Sequence, residues 1–203
     1  MSQIEHWENV YTTKTPEQVS WTQVYPKTSL ELIQSTSVSK ESSIIDIGGG
    51  DSNLIDFLLD AGYTNITVLD ISESALKRAQ LRLGEKAHKV KWIVSDIKTF
   101  QPTGTYAIWH DRATFHFITD EKDKVRYVDK VAKYVTDTFI LGSFSENGPK
   151  KCSGLEISQY NELGLKRLFG DSFDLTNCFL EDHTTPFNTI QNFIFCSFKR
   201  KYS

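Results

Sequence analysis

Ser43-Ile44-Ile45-Asp46-Ile47-Gly48-Gly49-Gly50-Asp51-Ser52 is the stretch on which the fold turns. Ser43–Ile47 is a short apolar run ending in glycines, the signature of a buried strand entering a tight turn. Leu54, Phe57, Leu58 and Ala61 then share one helical face, and Gly62 stops that helix. Outward from this unit the same alternation recurs. Ile66–Leu69 is a second strand, ended by Asp70, and Ser72 caps a helix whose inner face is Ala75, Leu76, Ala79 and Leu83. Val90–Val94 is a third strand, followed by Ser95 and Asp96; Tyr106–Trp109 is a fourth. Thr119 or Asp120 caps a helix with Val125, Val128, Val131, Ala132 and Val135 inward, and Phe139–Leu141 is a fifth strand. Asn161 caps a helix bearing Leu165, Leu168 and Phe169, which Gly170 closes. Two last strands, near 173–180 and 190–198, flank a turn with Pro186 and Asn188 and form an antiparallel pair. Strand–helix alternation with right-handed crossovers predicts a doubly wound α/β fold, a mostly parallel sheet with helices on both faces. Ligands of such sheets bind beyond the C-terminal strand ends.

The 203 residues suit one domain, with 1–40 as an N-terminal helical cap and 43–203 as the core. A 39% hydrophobic and 24% charged composition is that of an ordinary globular protein, and the net charge of -3 gives no broad attraction to nucleic acid. Lys199, Arg200 and Lys201 read as a solvated end. The three cysteines form no CxxC pair, and their odd, sparse count argues against a disulfide framework and for a reducing compartment. The N-terminus lacks the apolar core of a signal peptide, and no apolar run approaches the ~20 residues of a membrane span. The expectation is a cytoplasmic monomer or weak dimer without membrane or nucleic-acid partners and without a metal site.

The glycine turn is rich in acids. From Gly48 it reads G-x-G-x-x-N, with Asn53 where a dinucleotide fingerprint has its third glycine. Asp46 precedes the turn and Asp51 sits at the helix start, where a diphosphate would need backbone N–H groups and positive potential. Carboxylates there suit a cationic or zwitterionic ligand, such as S-adenosylmethionine, which carries an ammonium and a sulfonium and no phosphate. Asp70, 20 residues after Gly50, is placed to accept both hydroxyls of a ribose, at roughly 1.5–3 kcal/mol per charged hydrogen bond. Asp96 can accept from an adenine amino group while Ile71 and Ile97 sandwich the ring. Each acid alone can equally be a cap or a solvated strand end; three at successive strand ends point to a ligand.

The stretch IIDIGGGDS … VLDIS … VSDI … WHDRATFHF resembles the class I S-adenosylmethionine-dependent methyltransferases over residues 43–145. The turn with Ser52 and Leu54 resembles the GxGxS turn of a methyltransferase-like group that includes protein lysine methyltransferases, Ser52 replacing the last glycine of D-x-G-x-G-x-G. The resemblance implies a Rossmann-like seven-stranded sheet with an antiparallel last strand. It implies contacts from Asp46 and Gly48, Gly49 and Gly50 to the methionine moiety, from Asp70 to the ribose and from Asp96 with Ile97 to the adenine. His110 or Asp111 would complete the pocket floor. The tail segments GPKKCSGL and DHTTPFNTIQNF are loosely similar to bacterial small methyltransferases grouped with thiopurine methyltransferases.

Methyl transfer from a sulfonium is an in-line displacement, so positioning supplies most of the catalysis and no triad is required. His110-Asp111-Arg112-Ala113-Thr114-Phe115-His116-Phe117 follows a strand end that should face the ligand. Asp111, Arg112 and His116 are the catalytic candidates, with Arg112 suited to a carboxylate and His116 to a base; an Asp111–Arg112 structural network with a satisfied histidine is the competing reading. The long segment from Ser143 to Leu155 reads as a lid loop, with Cys152 as a substrate contact or a bystander. Trp21 and Gln23 can roof the site or simply pack on the sheet; Trp7 and Tyr11 share a helical face; His183 is a weaker candidate. The function expected is methyl transfer from S-adenosylmethionine, with S-adenosylhomocysteine as product, to a small-molecule acceptor in preference to a protein. The alternatives are a protein lysine methyltransferase and a non-catalytic S-adenosylmethionine-binding regulator. An NAD-dependent oxidoreductase fits Asp70 but is opposed by Asp46, Asp51 and the missing third glycine.

Overall fold

The computed structural model describes residues 2–202. Two helices precede the sheet: α1 (Gln3–Thr13), closed by a reciprocal capping box between Ser2 and Glu5, and α2 (Lys27–Gln34). β1 (Ile44–Ile47), α3 (Leu54–Asp60), β2 (Ile66–Asp70), α4 (Glu73–Leu83), β3 (Val90–Val94) and β4 (Tyr106–Arg112) follow. Then come α5 (Glu121–Tyr134), β5 (Val135–Phe144), the short pair β6 (Lys151–Cys152) and β7 (Leu155–Glu156), α6 (Glu162–Phe169), β8 (Phe173–Thr184) and β9 (Ile190–Arg200). Seven strands form one sheet in the order β3-β2-β1-β4-β5-β9-β8. β1 to β5 are mutually parallel, and β9 runs antiparallel to both β5 and β8. The anticipated α/β architecture is present, with an antiparallel last strand.

Period-2 alternation divides the core between the two sheet faces. Ile45, Ile47, Trp109, Phe139 and Leu141 pack with α5 and α6 through Tyr127, Val131, Leu165 and Phe169. Ile44, Val68, Ile108 and Ile140 pack with α2, α3 and α4 through Leu30, Ile33, Leu58 and Leu76. Buried on both faces, the central strands are apolar almost throughout, as a parallel sheet requires. The caps sit where short polar side chains precede apolar periodicity: Ser72 accepts from Ala75 N–H, Asp120 from Lys122 and Asp123 N–H, and Asn161 from Gly164 N–H.

Three expectations are corrected. β4 continues past Trp109 to Arg112, because its register with β1 and β5 holds through Asp111 and Arg112. Val125 is exposed, whereas Tyr127 and Lys130 are buried on α5; the helix turns its valine stripe partly aside to admit the tyrosine, and Val135 opens β5. Cys178 and Cys196 lie opposite each other on β8 and β9 and are joined as a disulfide, leaving Cys152 as the free thiol. Dispersed spacing hid this pair, since only the hairpin register brings the two positions together. No helix among the described residues is long and apolar enough to cross a membrane.

Phe139 is fully buried at the centre of the α5–α6 face, with ring centroids 4.7 Å from Phe169 and 5.7 Å from Phe198. Phe139→Ala is expected to cost about 3–5 kcal/mol of unfolding free energy. A urea midpoint unchanged from wild type would contradict this packing.

Candidate functional site

The turn after β1 is built by close approach. Gly48 and Gly50 have φ of 65° and 49°, and the Gly48 and Gly49 N–H groups donate to Leu69 O at 2.7 and 3.2 Å, tying the turn to β2. A Cβ on Gly48 would lie 1.8 Å from Thr114 Oγ1, and one on Gly49 would lie 2.6 Å from Asp46 Oδ2. A Cβ on Gly50 would lie 2.8 Å from the Tyr11 hydroxyl oxygen. The glycines therefore let an acid, a helix-borne tyrosine and the segment after β4 converge on one turn.

Beyond the C-terminal ends of β1 to β4 lies a cavity of about 360 Å³. Across the sheet, Asp96, Asp70, Asp46 and His110 follow one another from adjacent strands β3, β2, β1 and β4, and all four line it. Asp46 Oδ1 accepts from His110 Nδ1–H at 2.7 Å, since a carboxylate can only accept, and His110 Nε2 meets Ser29 Oγ at 2.9 Å. Asp70 Oδ1 accepts from Ser72 N–H at 2.8 Å. Burial raises the Asp70 pKa to about 7, against the backbone bond from Ser72 and with the neighbouring charges of Asp51 and Asp46. Asp96 accepts from Lys98 N–H at 2.8 Å, and Ile71 and Ile97 also line this end. Gly48 and Gly49 reach the wall; Gly50 is turned toward Tyr11 and Asp70. Asp51 also lines the cavity but is paired with Arg78 at 3.3 Å, so part of the negative potential expected of it is neutralised.

The N-terminal segment closes over this edge. Glu8 on α1 accepts from Ser72 Oγ at 2.7 Å and Ser74 N–H at 3.3 Å, and also from the Ser74 hydroxyl, at the start of α4. Partial burial opposes ionisation of Glu8, but the bonds from Ser74 and Ser72 outweigh it and hold its pKa below the usual carboxylate range. Trp7, Tyr11, Trp21 and Gln23 line the cavity, and Trp7 packs on Trp21 and Phe117 at ring separations of 5.6 and 5.0 Å. No sequence signal identified Glu8 or Ser29, whose partners are 64 or more positions away.

β4 sorts the remaining candidates by parity. His110 and Arg112 face the cavity with Phe117, Phe144, Phe193 and Cys152. Asp111 points to the opposite face, 0% exposed. There it accepts from Thr114 and Phe115 N–H at 3.0 and 3.1 Å and from the Tyr127 hydroxyl at 2.5 Å. The expectation of a catalytic or floor-forming Asp111 is thus corrected: it anchors the turn after β4. His116 is also 0% exposed and off the cavity wall, stacked on Phe144 at 4.5 Å with neither ring nitrogen hydrogen-bonded. Burial, then the Arg112 charge, lowers its pKa to about 3, which removes it from the role of base near neutrality. Burial likewise raises the Cys152 thiol to about 11. His183 Nε2–H donates to Ser20 O at 2.7 Å, tying β8 to the N-terminal segment.

A family model described as a methyltransferase domain matches residues 44–137. The mouse eEF1A lysine and N-terminal methyltransferase is 25% identical over 143 residues, which is 68% of this chain and 20% of the relative. Malonyl-[acyl-carrier protein] O-methyltransferase 2 of Ilyobacter polytropus is 30% identical over 92 residues, 45% of this chain and 35% of that one. The chain thus spans about a fifth of the length of the eEF1A relatives. Among solved structures, N-methyltransferase NodS from Bradyrhizobium japonicum, in complex with S-adenosylhomocysteine, superposes with a TM-score of 0.74 at 14% identity, covering 98% of each chain. A structure concerned with conversion of a disulfide bond into a thioacetal group during echinomycin biosynthesis gives 0.78 at 14% identity, covering 99% of this chain and 94% of that one. The domain match over residues 44–137 and the shared fold support a class I S-adenosylmethionine-dependent methyltransferase with S-adenosylmethionine as cofactor.

The raised Asp70 pKa has a definite sign in pH-dependent stability. Between the ordinary value of 3.8 and about 7 the folded protein holds a proton that the unfolded chain releases, so ligand-free stability falls as pH rises through that window. Asp111, raised to about 6 by burial, acts in the same direction. Asp70→Asn, which keeps an acceptor for Ser72 N–H, is expected to shrink this decline and to melt above wild type at pH 8. Identical pH–Tm curves for the two proteins would show that Asp70 ionises normally.

Proposed function

We propose that this protein transfers a methyl group from S-adenosylmethionine to a small-molecule acceptor inside the cavity beneath α1. The observation that carries the reading is the row of Asp96, Asp70, Asp46 and His110, delivered by four adjacent strands to one cavity. The donor set fits the cofactor: Asp70 would hold the ribose hydroxyls, Asp96 with Ile71 and Ile97 the adenine, and Asp46, Gly48, Gly49 and His110 the methionine moiety. S-adenosylmethionine supplies an electrophilic methyl on its sulfonium, and the sulfur keeps the C–S bonding pair. The chain's own task is alignment and exclusion of water. The Glu8 clamp keeps α1 across the start of α4, and Trp7 and Trp21 cover the acceptor end.

A protein lysine acceptor is the second reading, supported by the names of the eEF1A relatives. Against it stands the charge of the acceptor end, where Arg112 would oppose a lysine ammonium.

S-adenosylmethionine and S-adenosylhomocysteine at ~100 times their dissociation constants should each stabilise the chain by about 2.7 kcal/mol, and NAD should not. Asp70→Ala should lose most of that shift. Stabilisation by NAD alone, or an undiminished shift in Asp70→Ala, would refute the cofactor assignment. Glu8→Gln, which loosens the roof without touching the cavity wall, should weaken cofactor binding by roughly tenfold, the loss of one charge-assisted bond. Titration calorimetry giving the wild-type constant would show that α1 contributes nothing to retention.

A further inference from the structure

The acceptor end of the cavity contains a cation that the chain leaves unneutralised. Arg112 Nη1 donates to Trp21 O at 3.0 Å, while its Nε is buried with no partner. Among the described residues no carboxylate oxygen lies within the 4.0 Å of an ion pair with it. Glu181 and Asp46 are the acids whose fields reach it. Glu181 is already engaged by the Thr28 hydroxyl, and Asp46 by His110. Burial lowers the guanidinium to about 10, which leaves it charged at neutral pH. Arg112 is half-buried with its Nε shielded from water, and a partly desolvated charge without a counter-ion carries a cost that an anion brought by a ligand relieves.

The surroundings of that cation are aromatic. The guanidinium carbon lies 5.0 Å from the Phe193 ring centroid, and Phe193 packs on Phe144 at 4.6 Å. Trp7, Trp21 and Phe117 form a second aromatic group on the same cavity. Such walls favour flat ligands through offset and edge-on ring contacts, while a guanidinium favours the planar fork of a carboxylate.

We infer that the acceptor is an aromatic carboxylate, its ring held between the Trp7–Trp21–Phe117 and Phe144–Phe193 groups and its carboxylate held by Arg112. This rests on the reading of the cavity as a methyl-transfer site with a small-molecule acceptor. A neutral aromatic would leave Arg112 uncompensated, an amine would be repelled by it, and a saturated acid would forfeit the ring contacts.

Calorimetric titration of the full chain, saturated with S-adenosylhomocysteine, tests this with benzoate and indole-3-carboxylate as probes. Benzamide, benzylamine and cyclohexanecarboxylate serve as comparisons. One of the aromatic acids is expected to bind roughly 10- to 100-fold more tightly than the amide, the worth of one charge-assisted contact. Arg112→Gln should abolish that preference with the S-adenosylhomocysteine constant unchanged, and Arg112→Lys should retain part of it. The comparison of probes on wild-type protein stands even if either variant fails to fold. Equal binding of acid and amide, tightest binding of benzylamine, equal binding of cyclohexanecarboxylate and benzoate, or no binding of either aromatic acid would each overturn the inference. Failure of S-adenosylhomocysteine itself to bind wild-type protein would instead overturn the underlying reading of the cavity.

Discussion

Between β1 and the elements that crowd its C-terminal end there is no room for a Cβ. Thr114, Asp46 and the Tyr11 hydroxyl occupy the space that side chains at Gly48, Gly49 and Gly50 would need. Gly48 and Gly50 also require positive φ, which only glycine adopts cheaply. The cavity depends on this constraint. Because the turn is bare, Asp46 and Asp70 can be buried beside backbone, and α1 can descend until Tyr11 touches Gly50. A methyl group on any of the three would displace the acids or the roof.

Buried acids at the edge of a parallel sheet are held in a costly state without a ligand. Asp70 illustrates it: burial and the nearby acids raise its pKa to about 7, although the Ser72 N–H bond pulls the other way. A hydroxyl-rich, cationic ligand relieves both the missing donors and the excess negative charge, whereas a diphosphate would aggravate them. The Asp51–Arg78 pair shows that not every acid near the turn shares this role, since that charge is already compensated.

Strand parity divides structural from cavity-facing side chains. Along β4, His110 and Arg112 emerge on the cavity side, while Asp111 between them anchors the following turn through Thr114, Phe115 and Tyr127. His116 lies one layer deeper, where burial keeps its imidazole neutral. The cavity consequently has an acidic end under β2 and β3 and a cationic, aromatic end beside β4, β5 and β9. That polarity is the basis on which the proposed cofactor and acceptor ends are told apart.

Much of the fold is legible in the chain alone, because local rules govern it. Glycines after a short apolar run, Ser72, Asp120 and Asn161 before helical periodicity, and Asp70 and Asp96 after successive strands each report on a neighbourhood of a few residues. The positions of the rim acids Asp46, Asp70 and Asp96 follow from the same order, since in a parallel sheet every strand delivers its last residue to one rim. What the chain could not disclose depends on contacts between distant segments. The extension of β4 to Arg112 comes from hydrogen bonding to β1 and β5, so the side on which Asp111 and His116 fall was hidden. The Cys178–Cys196 pair needed the hairpin register, and the hold of Glu8 on Ser72 and Ser74 needed α1 to fold back across α4. Tertiary packing alone decided which ionisable groups face the cavity, because burial and parity, rather than residue type, set their charge and reach.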